Sequence, residues 1–260
     1  MADTSLPELV DAFDDVLRTT LALVRSLSDA DGQLPTDCPG WTVKDQLAHM
    51  VGLEQVLGGS PRPTIELPPL PHVVNEFDVF MEQIIHVRRD LPLQAIADEL
   101  AGLLPRRIDQ ILAQVAEGDP MVPGPFGERP LSASLPIRVF DLWAHEQDIR
   151  RALRLPPRVS CAAAEVSLAR TLTAWSAVLP KSAAGIDGEL VVQVTAPSPS
   201  KTTIAFGAGT LGAGGPQATL TGDLAQLTWV GCGRGAPSAG MLWGDPTIVA
   251  AVADQLGFTP

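Results

Sequence analysis

Along residues 6–27 apolar side chains fall at Leu9, Phe13, Val16, Leu17, Leu23, Val24 and Leu27, with Thr20 in the same register. Steps of three and four mark an amphipathic helix that buries one face. Asp29 to Gly32 ends it, and Thr36-Asp37-Cys38-Pro39-Gly40-Trp41 is turn-rich, its tryptophan placed to plug the base of a helical bundle. Thr42 then offers an N-cap oxygen and Asp45 suits the positive end of the helix dipole, so a second helix is predicted to residue 57. Val43, Leu47, Met50 and Val51 form its main apolar stripe. His49 falls on another face with Leu53 and Val56, and is predicted to be at least partly buried. A Pro/Gly loop over 58–71 leads to a third helix at 72–89 and a fourth at 93–117, which Pro105 is predicted to kink or split. A second Pro/Gly loop, 118–130, precedes a fifth helix at 132–153. There Ile137, Phe140 and Trp143 supply packing, while Asp141, His145 and Asp148 line up beside them at i, i+4 and i+7. Four or five helices joined in this way predict an antiparallel bundle, the architecture in which facing helices assemble metal sites.

After Leu155-Pro156-Pro157 the pattern changes: charge thins out, and Gly, Ala and Thr rise. A helix at 161–179 is predicted, then strands at 189–195 and 202–206 joined by a polar loop as a hairpin. A shorter strand at 218–221 and helices at 223–230 and 246–256 complete a smaller α+β domain. The predicted domains are residues 1–157 and 158–260.

The 260 residues suffice for one large domain or two ordinary ones. With no tyrosine and few other aromatics, the core must be aliphatic. A net charge of −12 argues against nucleic-acid binding, which needs a surplus of Lys and Arg. Cys38, Cys161 and Cys232 are odd in number and widely spaced, which suggests neither a disulfide framework nor a thiolate zinc site and fits a reducing cytoplasm. The opening thirty residues lack the basic start and apolar run of a signal peptide. No uninterrupted apolar window is long enough to span a membrane. A cytoplasmic protein is expected, monomeric or homodimeric.

The chemistry concentrates in two stretches. Asp141 and His145 are four apart, so on a helix they lie about 40° apart and about 6 Å along the axis, and both can reach one point. If His49 arrives from a neighbouring helix, two imidazoles and a carboxylate converge as a divalent-metal site with open positions. Taken alone, an Asp and a His four apart are more often a hydrogen-bonded pair, and a lone buried histidine is more often satisfied by a carbonyl. Scarcity favours the joint reading, because two of only four histidines sit in these two helices. His72 and His86 are expected to be surface or packing residues. Cys38, lacking a basic neighbour, is expected to be a buried structural thiol. Gly212-Ala213-Gly214-Gly215 and Gly231-Cys232-Gly233 lack the strand–turn–helix framing of a nucleotide site and are expected to be loops.

Cys38-Pro39-Gly40-Trp41-Thr42-Val43 with Leu47-Ala48-His49, and Asp141-Leu142-Trp143-Ala144-His145-Glu146-Gln147-Asp148-Ile149-Arg150, resemble the two signature motifs of the mycothiol-dependent maleylpyruvate isomerase family. The resemblance implies a DinB-like four-helix bundle followed by a C-terminal α+β domain related in shape to sterol carrier proteins. Gly233-Arg234 and the segment from Trp243-Gly244-Asp245-Pro246 to Leu256-Gly257-Phe258 are similar to the ends of that domain, more loosely. By that resemblance His49, Asp141 and His145 would hold the metal, usually zinc, with Asp141 one methylene shorter than the isomerase's Glu. Mycothiol would be the thiol cofactor and a small electrophile the substrate, for an isomerase or a thiol S-transferase. Asp148 would orient His145 or stand as a solvated helix acid. Arg234 would pair with a substrate carboxylate or stand as an ordinary surface arginine. Two other readings compete: a metal-dependent hydrolase using the same ligands, and a non-enzymatic protein whose C-terminal domain holds an apolar ligand.

Overall fold

The computed structural model describes residues 4–124, 127–183, 185–207 and 216–259. It divides into two compact units, Met1–Arg158 and Val159–Pro260. The first is helical: α1 (Leu6–Arg25), α2 (Asp29–Gly32), α3 (Val43–Leu57), α4 (Glu76–His86), α5 (Leu93–Ala116) and α6 (Leu131–Ala152). Local chemistry starts three of these helices. Ser5 and Glu8 form a capping box for α1, Thr42 and Asp45 form one for α3, and the Asn75 side chain caps α4.

The apolar stripe of α1 lies against α5 and α6, and α3 packs on α4, α5 and α6. Helix α3 is buried almost all round: Leu47, Met50 and Val51 on one side, His49 and Leu53 on the other. Residues 29–32, expected only to end α1, form a helical turn of their own under a Ser28–Asp31 capping box. Pro105 does not split α5. The lost backbone bond and the ring's clash with the preceding turn cost about 3 kcal/mol or more, but Leu100, Leu103, Leu104 and Ile111 bury apolar surface on both sides of it and keep the helix continuous. The third helix is shorter than expected, so His72 lies in the loop before α4. The loop after α5 pairs β1 (Met121–Val122) with β2 (Arg129–Pro130). Beyond α6 the chain is tied back by Arg158, whose guanidinium grips the fully buried Glu146 (Nε to Oε1 2.9 Å, Nη2 to Oε2 2.8 Å). Its carbonyl accepts from Trp143 Nε1 at 3.0 Å. Among the described residues no helix is long and apolar enough to cross a membrane.

The second unit holds α7 (Ala162–Ser182), β3 (Gly188–Val194), β4 (Ser200–Phe206), β5 (Gln217–Gly222), α8 (Leu224–Gly231), β6 (Leu242–Gly244) and α9 (Pro246–Val252), followed by a 3-10 turn, Ala253–Gln255. Its sheet runs β4-β3-β5-β6. β3 and β4 pair antiparallel from Gly188↔Phe206 to Val194↔Ser200, as the hairpin reading expects, while β5 joins β3 in parallel. The three-residue edge strand β6 is too short to leave an alternating pattern and was not foreseen. Trp175 of α7 is fully buried and donates to Leu256 O at 2.6 Å, which fixes the chain after α9. The glycine run at 212–215 lies outside the described residues.

Candidate metal centre

Two adjacent helices of the first unit build the site. α3 carries His49 and α6 carries Asp141 and His145, so the pairing of α3 with α6 brings together side chains 92 positions apart. His49 Nε2 lies 3.2 Å from Asp141 Oδ2, and His145 Nε2 lies 3.6 Å from Asp141 Oδ1. The two imidazoles meet edge to face with centroids 4.5 Å apart. One ligand atom from each of the three residues lies within 4.8 Å of the others. Both histidines are buried, whereas the Asp141 side chain keeps 26% of its surface exposed, so the cluster is approachable from the carboxylate side.

Burial and charge sort the three groups. Burial pushes the His49 pKa down to about 4 against the pull of Asp141, so its imidazole is neutral at physiological pH, as a metal ligand must be. Burial also works against charge on His145, but Asp141 and Asp148 outweigh it and raise its pKa. Burial would raise the Asp141 carboxyl, yet Arg138, His49 and His145 hold it well below the ordinary carboxylate value. Asp148 is buried rather than solvated, with Oδ2 3.5 Å from His145 Nδ1. His49 Nδ1 is buried without a hydrogen-bond partner among the described residues.

Trp41 closes one side. Its ring lies 5.1 Å from the His49 imidazole and 5.7 Å from that of His145. Its indole N–H donates to Glu82 at 3.3 Å. The same buried carboxylate contacts His72 at 3.2 Å and Arg89 at 2.7 Å. His72, expected to be a surface or packing residue, thus braces the tryptophan's anchor. The preceding Gly40 has φ of +77°, and a Cβ there would run into the His72 ring. Gly40→Ala is therefore expected to cost at least about 1–2 kcal/mol from the left-handed backbone alone, and to displace Trp41. Thermal melting and the tryptophan emission spectrum check both effects.

Behind the triad is an ion cluster with no signature in the sequence motifs. Glu54 of α3, fully buried, accepts from Arg107 Nε at 2.7 Å and Arg138 Nε at 2.8 Å. Arg138 Nη1 in turn donates to Asp141 Oδ2 at 3.0 Å. Only the i, i+3 spacing of Arg138 and Asp141 could have pointed to it. Arg234 belongs to the second unit, after α8, where its Nη1 donates to Cys232 O at 3.2 Å.

Two imidazoles and a carboxylate make a donor set suited to a zinc-like divalent ion with positions left over. The neutral His49, the ionised Asp141 and the wall of Trp41 fit such an ion. The arrangement could therefore hold a divalent cation.

The model of a family described as the mycothiol maleylpyruvate isomerase N-terminal domain matches residues 13–150. Among solved structures the fold is similar to a crystal structure of the mycothiol-dependent maleylpyruvate isomerase, with 19% identity, a TM-score of 0.60, and 99% of this chain and 96% of that one covered. A crystal structure of a histidine-to-alanine mutant of that isomerase matches with 18% identity, a TM-score of 0.62 and the same coverage. At this identity the likeness is one of fold. No curated protein matches the sequence.

Proposed function

The chain belongs to the family of the mycothiol maleylpyruvate isomerase N-terminal domain, and from that premise we propose that it is a metal-dependent thiol enzyme. The observation that carries this reading is the convergence of His49, Asp141 and His145, with ligand atoms mutually within 4.8 Å and one side open at Asp141. We read α1, α3, α5 and α6 as a DinB-like four-helix bundle around that site. Residues 158–260 are read as the family's C-terminal domain.

His49, Asp141 and His145 would hold the ion, zinc in the first instance. When bound, it would supply the positive charge that lowers the pKa of a thiol at its open positions. The protein's own residues prepare that place. Burial keeps His49 neutral with one ring lone pair available, and Arg138 keeps Asp141 ionised. Asp148 faces the far nitrogen of His145 at 3.5 Å, and Trp41, held by Glu82, covers one side. A thiolate formed there would add to an electrophilic double bond, allow rotation about the resulting single bond, and leave with the double bond restored. A transferase would instead keep the conjugate.

The test is turnover of maleylpyruvate, and of a simple electrophilic acceptor, with zinc-loaded protein in the presence and absence of mycothiol. Turnover that requires the thiol is expected. Turnover at the same rate without thiol would contradict the reading and favour hydrolysis through the same ligands.

A further inference from the structure

Asp141 is the exposed member of the triad, with 26% of its side chain open to solvent, so its carboxylate has room to turn away from the imidazoles. Among the described residues its charged partners are His49, His145 and Arg138. The two histidines do not serve once an ion is bound. The ring nitrogens that face Asp141 are His49 Nε2 and His145 Nε2, and a ring nitrogen that gives its lone pair to a metal has no proton left to donate. The hydrogen bond from Arg138 Nη1 to Asp141 Oδ2, 3.0 Å long, outlasts loading of the site. It comes from a guanidinium with little freedom. Arg138 stands on α6 three residues before Asp141 and seven before His145, so the three share a face of the helix. Its side chain is only 4% exposed, and its Nε is fixed on Glu54 Oε1 at 2.8 Å. Glu54 is fully buried and is fixed in turn by Arg107 Nε on its other oxygen, at 2.7 Å. A continuous chain of ion pairs, Arg107–Glu54–Arg138–Asp141, thus runs from α5 through α3 to the open side of the triad.

We propose that Arg138 is the positioning residue of the metal centre: anchored on Glu54, it keeps the Asp141 carboxylate turned towards the two imidazoles, with and without the ion. Its charge works the other way, because a cation beside a ligand repels the ion. Hold and charge are separable. Lysine keeps the charge, but its single ammonium lacks the planar fork that spans Glu54 and Asp141 together. The assignment rests on the metal reading of the triad and not on the thiol chemistry.

The test is cobalt(II) binding to the full-length protein. Competition with a chelator reads the affinity, and the visible spectrum of the bound ion reports its ligands. Arg138→Lys is expected to weaken cobalt at least about tenfold, the usual effect of removing a group that orients a ligand. Its spectrum should move towards that of Asp141→Ala. Arg107→Lys disturbs the same ion cluster without touching Asp141, and should keep the wild-type affinity and spectrum. Circular dichroism checks that each variant is folded. Should Arg138→Lys fail to fold, the double variant Glu54→Gln with Arg138→Met removes the hold without leaving a buried carboxylate short of its counter-ion, and should show the same shift of the spectrum. A wild-type spectrum in whichever Arg138 variant folds, or equal losses of affinity in Arg138→Lys and Arg107→Lys, would overturn the assignment. Wild-type protein that takes up neither cobalt nor zinc sinks the metal reading and this assignment with it. Cobalt bound alike by the wild type and the folded Arg138 variants sinks this assignment alone.

Discussion

Glu54→Ala is expected to destabilise the helical unit by about 3–5 kcal/mol, because it leaves two buried guanidiniums without their shared counter-ion. Arg107 and Arg138 both place Nε on this carboxylate at under 3 Å, and Glu54 has no exposed surface. In a domain of this size such a loss lowers the melting temperature by about 10 °C or more. Helical ellipticity, which the first unit dominates, is the signal to follow. Glu54→Gln should lose less, since it can still accept hydrogen bonds but carries no charge. The pH dependence follows from the direction of the shift. Burial works to raise the Glu54 pKa, but Arg138 and Arg107 outweigh it and hold it below the ordinary 4.5. Its contribution is thus fully present above about pH 4.5 and is lost as the pH falls through the lower folded value. The Glu54→Ala melting temperature should therefore fall less than the wild type's on acidification below that point. Equal acid sensitivity in the two proteins would show that the cluster is not the source.

His49→Ala and His145→Ala are each expected to lower zinc affinity by about a hundredfold to a thousandfold. A four-ligand zinc site carries about 10–16 kcal/mol, or about 2.5–4 kcal/mol per ligand. Thiol-dependent turnover should fall with metal occupancy. Competition against a chromophoric chelator reads the affinity, and circular dichroism shows whether the helices survive. Asp141→Glu, which adds the methylene of the isomerase pattern, should retain the metal. Loss of metal in Asp141→Glu together with full retention in His145→Ala would assign the ion to other residues.

Much of the helical unit was legible in the sequence because its helices announce themselves locally. The three-and-four spacing of α1 and the Thr42–Asp45 cap of α3 need no tertiary information, and both are found at the expected places. His49, Asp141 and His145 could be singled out because histidine is scarce here and two of the residues share a helix turn. What escaped depends on contacts between distant segments. Glu54 looks like an ordinary helix acid until Arg107 and Arg138, 53 and 84 positions away, close on it. His72 seemed to lie on a helix because apolar residues follow it, but the Asn75 cap starts α4 after it and leaves its ring against Gly40 and Glu82. Pro105 misled in the opposite direction: a local breaker was overruled by burial along both flanks of α5. Strand β6 is held by three residue pairs with β5, too short a run for alternation to show.

The most direct test is zinc-edge X-ray absorption of the zinc-loaded protein, recorded before and after adding mycothiol. Nitrogen and oxygen neighbours with the scattering pattern of two imidazoles are expected first, and one sulfur neighbour at about 2.3 Å after the thiol is added. Zinc bound without an imidazole pattern, or a spectrum unchanged by mycothiol, would contradict a thiol held at His49, Asp141 and His145.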